Sequence, residues 1–209
     1  MSINFDQLSQ IHETLKKFPK ARLQIVTKNR SSEIIKELIS NNYYLFGENK
    51  VQEAKEKFVN IERENIELHL IGPLQTNKVK LALQIFDTIQ SVDRIKLVNE
   101  IVKYQTNIET KTRDYFIQIN IGREDQKAGV QPDSTQELYD ICIEKGLMIA
   151  GLMCIPPINK EPEVYFNKMK ELRDNINPNL KLSMGMSADY KISLMCGSDL
   201  VRVGSRIFN

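Results

Sequence analysis

RLQIVTKNR, residues 22–30, is a short β-branched run that ends in a lysine and a polar turn, and its recurrence along the chain decides the fold. Leu23, Ile25 and Val26 give it strand character, and the polar residues after Val26 end it. Seven runs of the same kind follow: YYLFG (43–47), ELHLIG (67–72), FDTIQS (86–91), DYFIQINI (114–121), LMIAGLMCI (147–155), KLSMG (181–185) and LVRVG (200–204). Longer segments with helical spacing of apolar residues lie between them, the alternation expected of parallel strands joined by crossover helices. Short connections and the even repeat predict an α/β fold, a single closed (β/α)8 barrel of the TIM type over residues 1–209. Periodicity leaves an open doubly wound sheet as the alternative. No Gly-x-Gly-x-x-Gly follows the first run, which counts against a dinucleotide site.

The intervening segments carry their own punctuation. An N-terminal helix is expected within residues 1–20, with Ile3, Leu8, Ile11 and Leu15 on one face. After the first strand, Ile34, Ile35, Leu38 and Ile39 form a stripe that stops at Asn41-Asn42. Asp93 is expected to cap a helix that buries Leu97, Val98, Ile101 and Val102. Pro132 precedes Ser134-x-x-Glu137, a capping-box pattern, and Gly146 fits a left-handed helix end. Ser187 is expected to open a short helix that Gly197 closes.

Composition narrows the function classes. Twenty-nine basic against 27 acidic residues leave a net charge of +2, so no whole-molecule field gathers nucleic acid or anionic lipid. Cys142, Cys154 and Cys196 lie far apart and the chain holds only 2 histidines, so neither a zinc site nor a disulfide framework is expected. The N-terminus lacks a signal-peptide pattern and no apolar run is long enough to span a membrane, which predicts a cytoplasmic protein of a reducing compartment.

In a barrel of this type, chemistry sits at the C-terminal ends of the strands and phosphate docks after strands seven and eight. Lys28 follows strand one, Ser183-Met184-Gly185 ends strand seven, and Arg202-Val203-Gly204-Ser205 ends strand eight. Closure makes strands one and eight neighbours, so Lys28 and Arg202 are expected to converge across the mouth. A lysine recessed there loses water and becomes a Schiff-base nucleophile. The amides of Gly204 and Ser205, with the Ser205 hydroxyl, suit an anion nest, and Ser183 adds a second hydroxyl. His69, between Leu68 and Leu70, reads as a hydrogen-bonded core residue, His12 as solvent-facing, and Lys50–Lys57 as a charged helix face.

The stretches VTKNR around Lys28, FGENKVQEA (46–54), HLIGPLQTNK (69–78), SVDR (91–94), QINIGREDQKAG (118–129), GLMCIPP (151–157), LSMGMSADY (182–190) and VRVGSRIF (201–208) together resemble the pyridoxal phosphate homeostasis protein family, also called the YggS/PROSC family. The resemblance implies the barrel of the alanine racemase N-terminal domain. It also implies pyridoxal 5′-phosphate (PLP) held as an internal aldimine on Lys28, with Arg202 facing the pyridine nitrogen. Ser183, Met184, Gly204 and Ser205 are then expected around the phosphate and Asn49 as a lining residue, although Asn49 also fits a helix cap before Val51. Lys127, in the loop after strand five, is expected to assist release. Two departures from the family stand out: Pro73 replaces a histidine found in many members, and the N-terminal segment is shorter by about one helix.

The resemblance implies a carrier that keeps free PLP in balance and releases it to acceptors, among them PLP-dependent apoenzymes. No turnover is expected, because a cation opposite the ring nitrogen makes a poor electron sink and the chain lacks the β-domain that supplies a racemase's second base. A monomer is expected for the same want of racemase dimer contacts. A PLP-dependent amino-acid racemase and a Schiff-base aldolase acting on a sugar phosphate are the competing readings.

Overall fold

The computed structural model describes residues 2–208, so Met1 and Asn209, the ends of the expected barrel unit, lie outside the described residues. All eight expected strands form: β1 (Arg22–Val26), β2 (Leu45–Glu48), β3 (Glu67–Leu70), β4 (Thr88–Val92), β5 (Asp114–Ile119), β6 (Ile149–Cys154), β7 (Lys181–Met186) and β8 (Leu200–Val203). They close in sequence order into a barrel, every pairing parallel. The open sheet is thereby excluded. Closure runs through β1 and β8, with Arg22, Leu23, Gln24 and Ile25 opposite Leu200, Val201, Arg202 and Val203.

Among the described residues, eight α-helices accompany the strands: α1 (Phe5–Leu15), α2 (Ser32–Ser40), α3 (Val51–Phe58), α4 (Val79–Ile85), α5 (Ile95–Gln105), α6 (Thr135–Glu144), α7 (Pro162–Ile176) and α8 (Tyr190–Met195). α1 is shorter than the expected 1–20 span. Asn4 caps it by accepting from the Gln7 amide, and Ile3 pairs instead with Phe208 in an antiparallel bridge. Leu8, Ile11 and Leu15 are buried as expected. α2 stops at Asn41, with Asn42 left-handed at φ 66°, and Gly146 and Gly197 follow their helices at φ 78° and 90°.

Three expected caps are absent. Arg94 occupies the cap position of α5, and Asp93 pairs with the Arg94 guanidinium instead of with the helix amides. A 3-10 turn over Pro132–Ser134 precedes α6, and its tightness leaves the Ser134 side chain without a capping bond. Asp189, not Ser187, precedes α8, and the Asp189 carboxylate accepts from the Met186 amide at 2.6 Å.

Most of the apolar core lies between the strands' outer faces and the helices, including Phe46, Leu68, Ile117, Leu152, Phe166 and Leu182. A second small cluster, Leu45, Phe116, Met153 and Leu200, plugs the lumen near the strands' N-terminal ends. Above it the lumen turns polar. Gln24, His69, Gln90, Ser183 and Arg202 are all buried.

Candidate functional site

Alternate residues of a strand face the same side of a sheet, so Gln24 and Val26 form one inward row along the first strand. Gln24 confirms the direction by donating to the Phe46 carbonyl at 3.2 Å and accepting from Gln90 at 3.2 Å. Lys28 lies in the turn beyond Val26 and is exposed. The expectation of a recessed amine is therefore corrected: the strand has already ended, and the turn lifts Lys28 into the open mouth. Arg202 pairs with Gln24, two residues below the end of β1 at Val26. Lys28 lies past the end of β1 and Arg202 within β8, so the two stand at different depths of the barrel.

Behind that turn lies an ion cluster on the barrel's outer side. Glu48, at the end of β2, is fully buried and accepts from the Thr27 hydroxyl at 2.7 Å and from Lys57 Nζ at 2.9 Å. Lys57 also donates to the Thr27 carbonyl at 2.7 Å and pairs with Glu53 at 2.5 Å. Glu53 in turn accepts the Asn29 amide at 2.5 Å, and Asn29 adopts a left-handed φ of 57°. Both neighbours of Lys28 are thus fixed by α3. Burial raises the Glu48 carboxyl above its ordinary range, opposed by the Thr27 hydroxyl and by Lys57. Burial alone would raise Glu53 too, but the hydrogen bonds from Lys57 and the Asn29 amide outweigh it and lower that carboxyl. The expected solvated face over Lys50–Lys57 is corrected at Lys57, which turns inward because Glu48 needs a counter-charge.

Arg202 reaches from β8 over the two neighbouring strands, β7 and β6. Its Nη1 donates to Ser183 Oγ at 2.7 Å and its Nη2 to the Cys154 carbonyl at 2.7 Å. Burial lowers the guanidinium from its ordinary value. Ser183 donates onward to Gln90 Oε1 at 2.6 Å, and Gln90 Nε2 lies 2.6 Å from His69 Nδ1. His69 Nε2 meets Glu67 at 2.8 Å, so His69 is the hydrogen-bonded core residue that its strand position implies. Burial would raise the Glu67 carboxyl, yet hydrogen bonds from His69 and Arg22 prevail and push it down to about 2.

The loop after β8 faces the loop after β7. Gly204 and Arg206 both direct their amides at Ser187 Oγ, each at 3.4 Å, longer than a well-formed N–H···O bond. Ser205 is exposed between them. A Cβ on Gly204 would stand 3.0 Å from the Val26 carbonyl, so the loop hugs β1 just below Lys28. Ser187 was not among the expected site residues, and its place beside the glycine-led loop of the neighbouring strand was invisible without the β7–β8 pairing. The Ser183 hydroxyl is engaged deep in the lumen, and Met184 is fully buried in the outer core. Asn49 is half-buried and continues the inward row of β2. The Val26–Gly47 pairing places the ends of β1 and β2 side by side, with Lys28 and Asn49 each two residues beyond it in sequence. Lys50 occupies the cap position of α3, so Asn49 is not a helix cap. Lys127 donates to the Pro156 carbonyl at 3.0 Å and pairs with Glu124 at 2.5 Å, tying the loop after β5 to the loop after β6. His12 is exposed, its ring centroid 5.4 Å from that of Tyr43.

A primary amine at the rim, a buried guanidinium beneath it, and two amides with a hydroxyl on the adjoining loop suit a planar aldehyde that carries a phosphate. The loosely satisfied amides fit the phosphate end in particular. Among the described residues there is no group of three His, Cys, Asp or Glu side chains able to hold a metal ion, and no helix is long and apolar enough to cross a membrane.

The alanine racemase N-terminal domain model matches residues 3–209. A pyridoxal phosphate homeostasis protein of Aquifex aeolicus is 37% identical over 199 residues, which cover 90% of this chain and 86% of the relative. Its Escherichia coli K12 namesake is 33% identical over 200 residues, covering 89% and 84%. Among solved structures, PipY of Synechococcus elongatus without PLP superposes with a TM-score of 0.87 at 29% identity, covering 98% of this chain and 99% of PipY. The same protein with PLP bound gives 0.82 at 27% identity, with the same coverage. An alanine racemase of Clostridium difficile, 16% identical with a TM-score of 0.75, covers 98% of this chain and 56% of the racemase, and shares the fold alone.

Proposed function

The chain belongs to the family of pyridoxal phosphate homeostasis proteins, and on that premise we propose that it holds PLP through Lys28 and releases it to acceptors, PLP-dependent apoenzymes among them. The observation that carries this reading is the placement of the Lys28 turn above buried Arg202 and beside the Gly204 loop. PLP, when bound, supplies an aldehyde that condenses reversibly with a primary amine. The protein's own groups do the rest. Lys28 offers that amine from a turn held on both sides by α3. Gly204, Ser205 and Ser187 receive the phosphate, while Asn49 lines the rim beside Lys28. Arg202 faces the ring nitrogen, with Ser183 beneath it as a prop instead of a phosphate ligand.

A fixed cation at the ring nitrogen disfavours its protonation, so these residues favour storage over carbanion chemistry. Lys127, anchored to the loop after β6, stands ready to draw on the aldehyde or the phosphate during release. We take residues 1–209 as one barrel unit that works as a cytoplasmic monomer. Borohydride reduction of PLP-loaded protein, followed by mass mapping, should place the label on Lys28. A label elsewhere, or none, would refute the assignment. Interconversion of D- and L-alanine that Lys28→Ala abolishes would replace the carrier reading with a racemase.

A further inference from the structure

The hydrogen bonds that start at Arg202 form a chain with one direction. Arg202 Nη1–H donates to Ser183 Oγ at 2.7 Å, and the Ser183 hydroxyl donates to Gln90 Oε1 at 2.6 Å. Gln90 Nε2–H then points at His69 Nδ1 at 2.6 Å, and His69 Nε2–H at the Glu67 carboxylate at 2.8 Å. The Ser183–Gln90 link spans the lumen from β7 to β4, and the links before and after it run toward the strands' N-terminal end. The chain ends on a carboxylate that also receives Arg22 at 2.6 Å.

Gln90 is the hinge of this arrangement because its amide could in principle face either way. Gln24 settles the orientation. Its Nε2 is used on the Phe46 carbonyl, so only its Oε1 faces Gln90, and that oxygen requires the Gln90 NH2 at 3.2 Å. With the NH2 turned toward Gln24 and His69, the Gln90 carbonyl must face Ser183. The serine hydrogen is then committed to Gln90, which leaves the Ser183 lone pairs for Arg202. A reversed amide would set two carbonyl oxygens against each other in a buried, low-dielectric space, where such a clash goes unscreened.

We infer that Gln90 is a positioning residue: acting through Ser183, and held by Gln24 and His69, it fixes the Arg202 guanidinium at the place where the cofactor ring lies. The inference rests on the reading that Arg202 faces that ring. Arg202 leaves β8 two residues above Leu200, the partner of Ser183 across the β7–β8 pairing, so its side chain must reach back down the lumen to meet the serine. Without that tether the guanidinium keeps only its bond to the Cys154 carbonyl, about which it is free to turn away from its set orientation.

The test reads the pH midpoint of the visible absorption band of Lys28-bound PLP in the full-length holo-protein. A fixed cation beneath the ring lowers the pH at which the bond to Lys28 loses its proton. Arg202→Gln should therefore raise the midpoint by roughly one pH unit. Gln90→Met, similar in length and without the amide, should raise it in the same direction by a fraction of that amount. Borohydride must still trap the label on Lys28 in both variants. If Gln90→Met does not yield folded protein, Ser183→Ala breaks the same link by removing one hydroxyl, and the same rise is expected. A midpoint that moves in Arg202→Gln and stays at the parent value in the Gln90 or Ser183 variant would overturn the inference and leave the Arg202 reading intact. A midpoint unmoved in Arg202→Gln itself would refute that reading first.

Discussion

Glu48 and Lys57 meet at 2.9 Å on the barrel's outer side, with the carboxylate fully buried and the ammonium nearly so. One oxygen of Glu48 has no hydrogen-bond partner, so its charge depends on Lys57 and Thr27. Removing one partner of a buried pair strands the other charge. Lys57→Met is expected to cost about 3–5 kcal/mol in denaturant unfolding, and Lys57→Met/Glu48→Leu to recover most of it. Strict additivity in that double-mutant cycle would refute the coupling.

Glu67 gives the barrel a pH dependence. Its folded value of about 2 lies below the ordinary value of 4.5, so its contribution to stability is complete above the unfolded pKa and fades as pH falls through the folded one. Because the side chain is about a third exposed, at 35%, solvent screening reduces the gain to about 1 kcal/mol. Glu67→Gln should therefore be less stable than the parent at pH 7, and the gap should close between pH 4.5 and 2. Parallel stability curves across that window would show that the carboxylate contributes nothing.

Ser187 receives the Gly204 and Arg206 amides at bond lengths that a phosphate oxygen could improve upon. Removing its hydroxyl should weaken PLP retention about tenfold, the worth of one charge-assisted hydrogen bond, with the Lys28 label still formed at saturating PLP. Dialysis of holo-protein against phosphate-free buffer measures this. Equal retention by Ser187→Ala and the parent would remove the serine from the site.

Gly185 has no room for a side chain. Its φ is +89°, and a Cβ there would lie 1.9 Å from Ser193 Oγ and 3.1 Å from the Tyr190 Cα. Gly185→Ala should cost about 1–3 kcal/mol from backbone strain, plus the displacement of α8. An unfolding midpoint equal to the parent's would mean that β7 relaxes freely at this point.

The strand count, their order and most helix ends were legible because apolar periodicity and glycine punctuation are local signals. The positions of Lys28, Gly204 and Ser205 just past strand ends follow from the same local signals. The depth of Arg202 was not. Depth depends on the register of β8 against β1, which no single strand encodes. The failed caps have a similar origin: α5 and α8 start one and two residues beyond the places that spacing gives Asp93 and Ser187, and Ser134 holds its cap position without making the side-chain bond. Lys57 resembled every other lysine on its helix until β2 brought a buried glutamate behind it. Gln24 and Gln90 did leave a trace, each a polar residue inside an otherwise apolar strand run. That trace acquires meaning only once closure shows which face points inward.

The polar midsection of the lumen bears on protein engineering. A redesign scored on stability alone would replace Gln24, Gln90 and His69 with branched aliphatic residues, since apolar packing usually matches or exceeds buried polar networks in stability. Such a barrel should melt later and still carry a lysine at its rim. It would have lost the orientation of its central arginine, a defect that thermal screening passes and only the colour of the bound vitamin reveals.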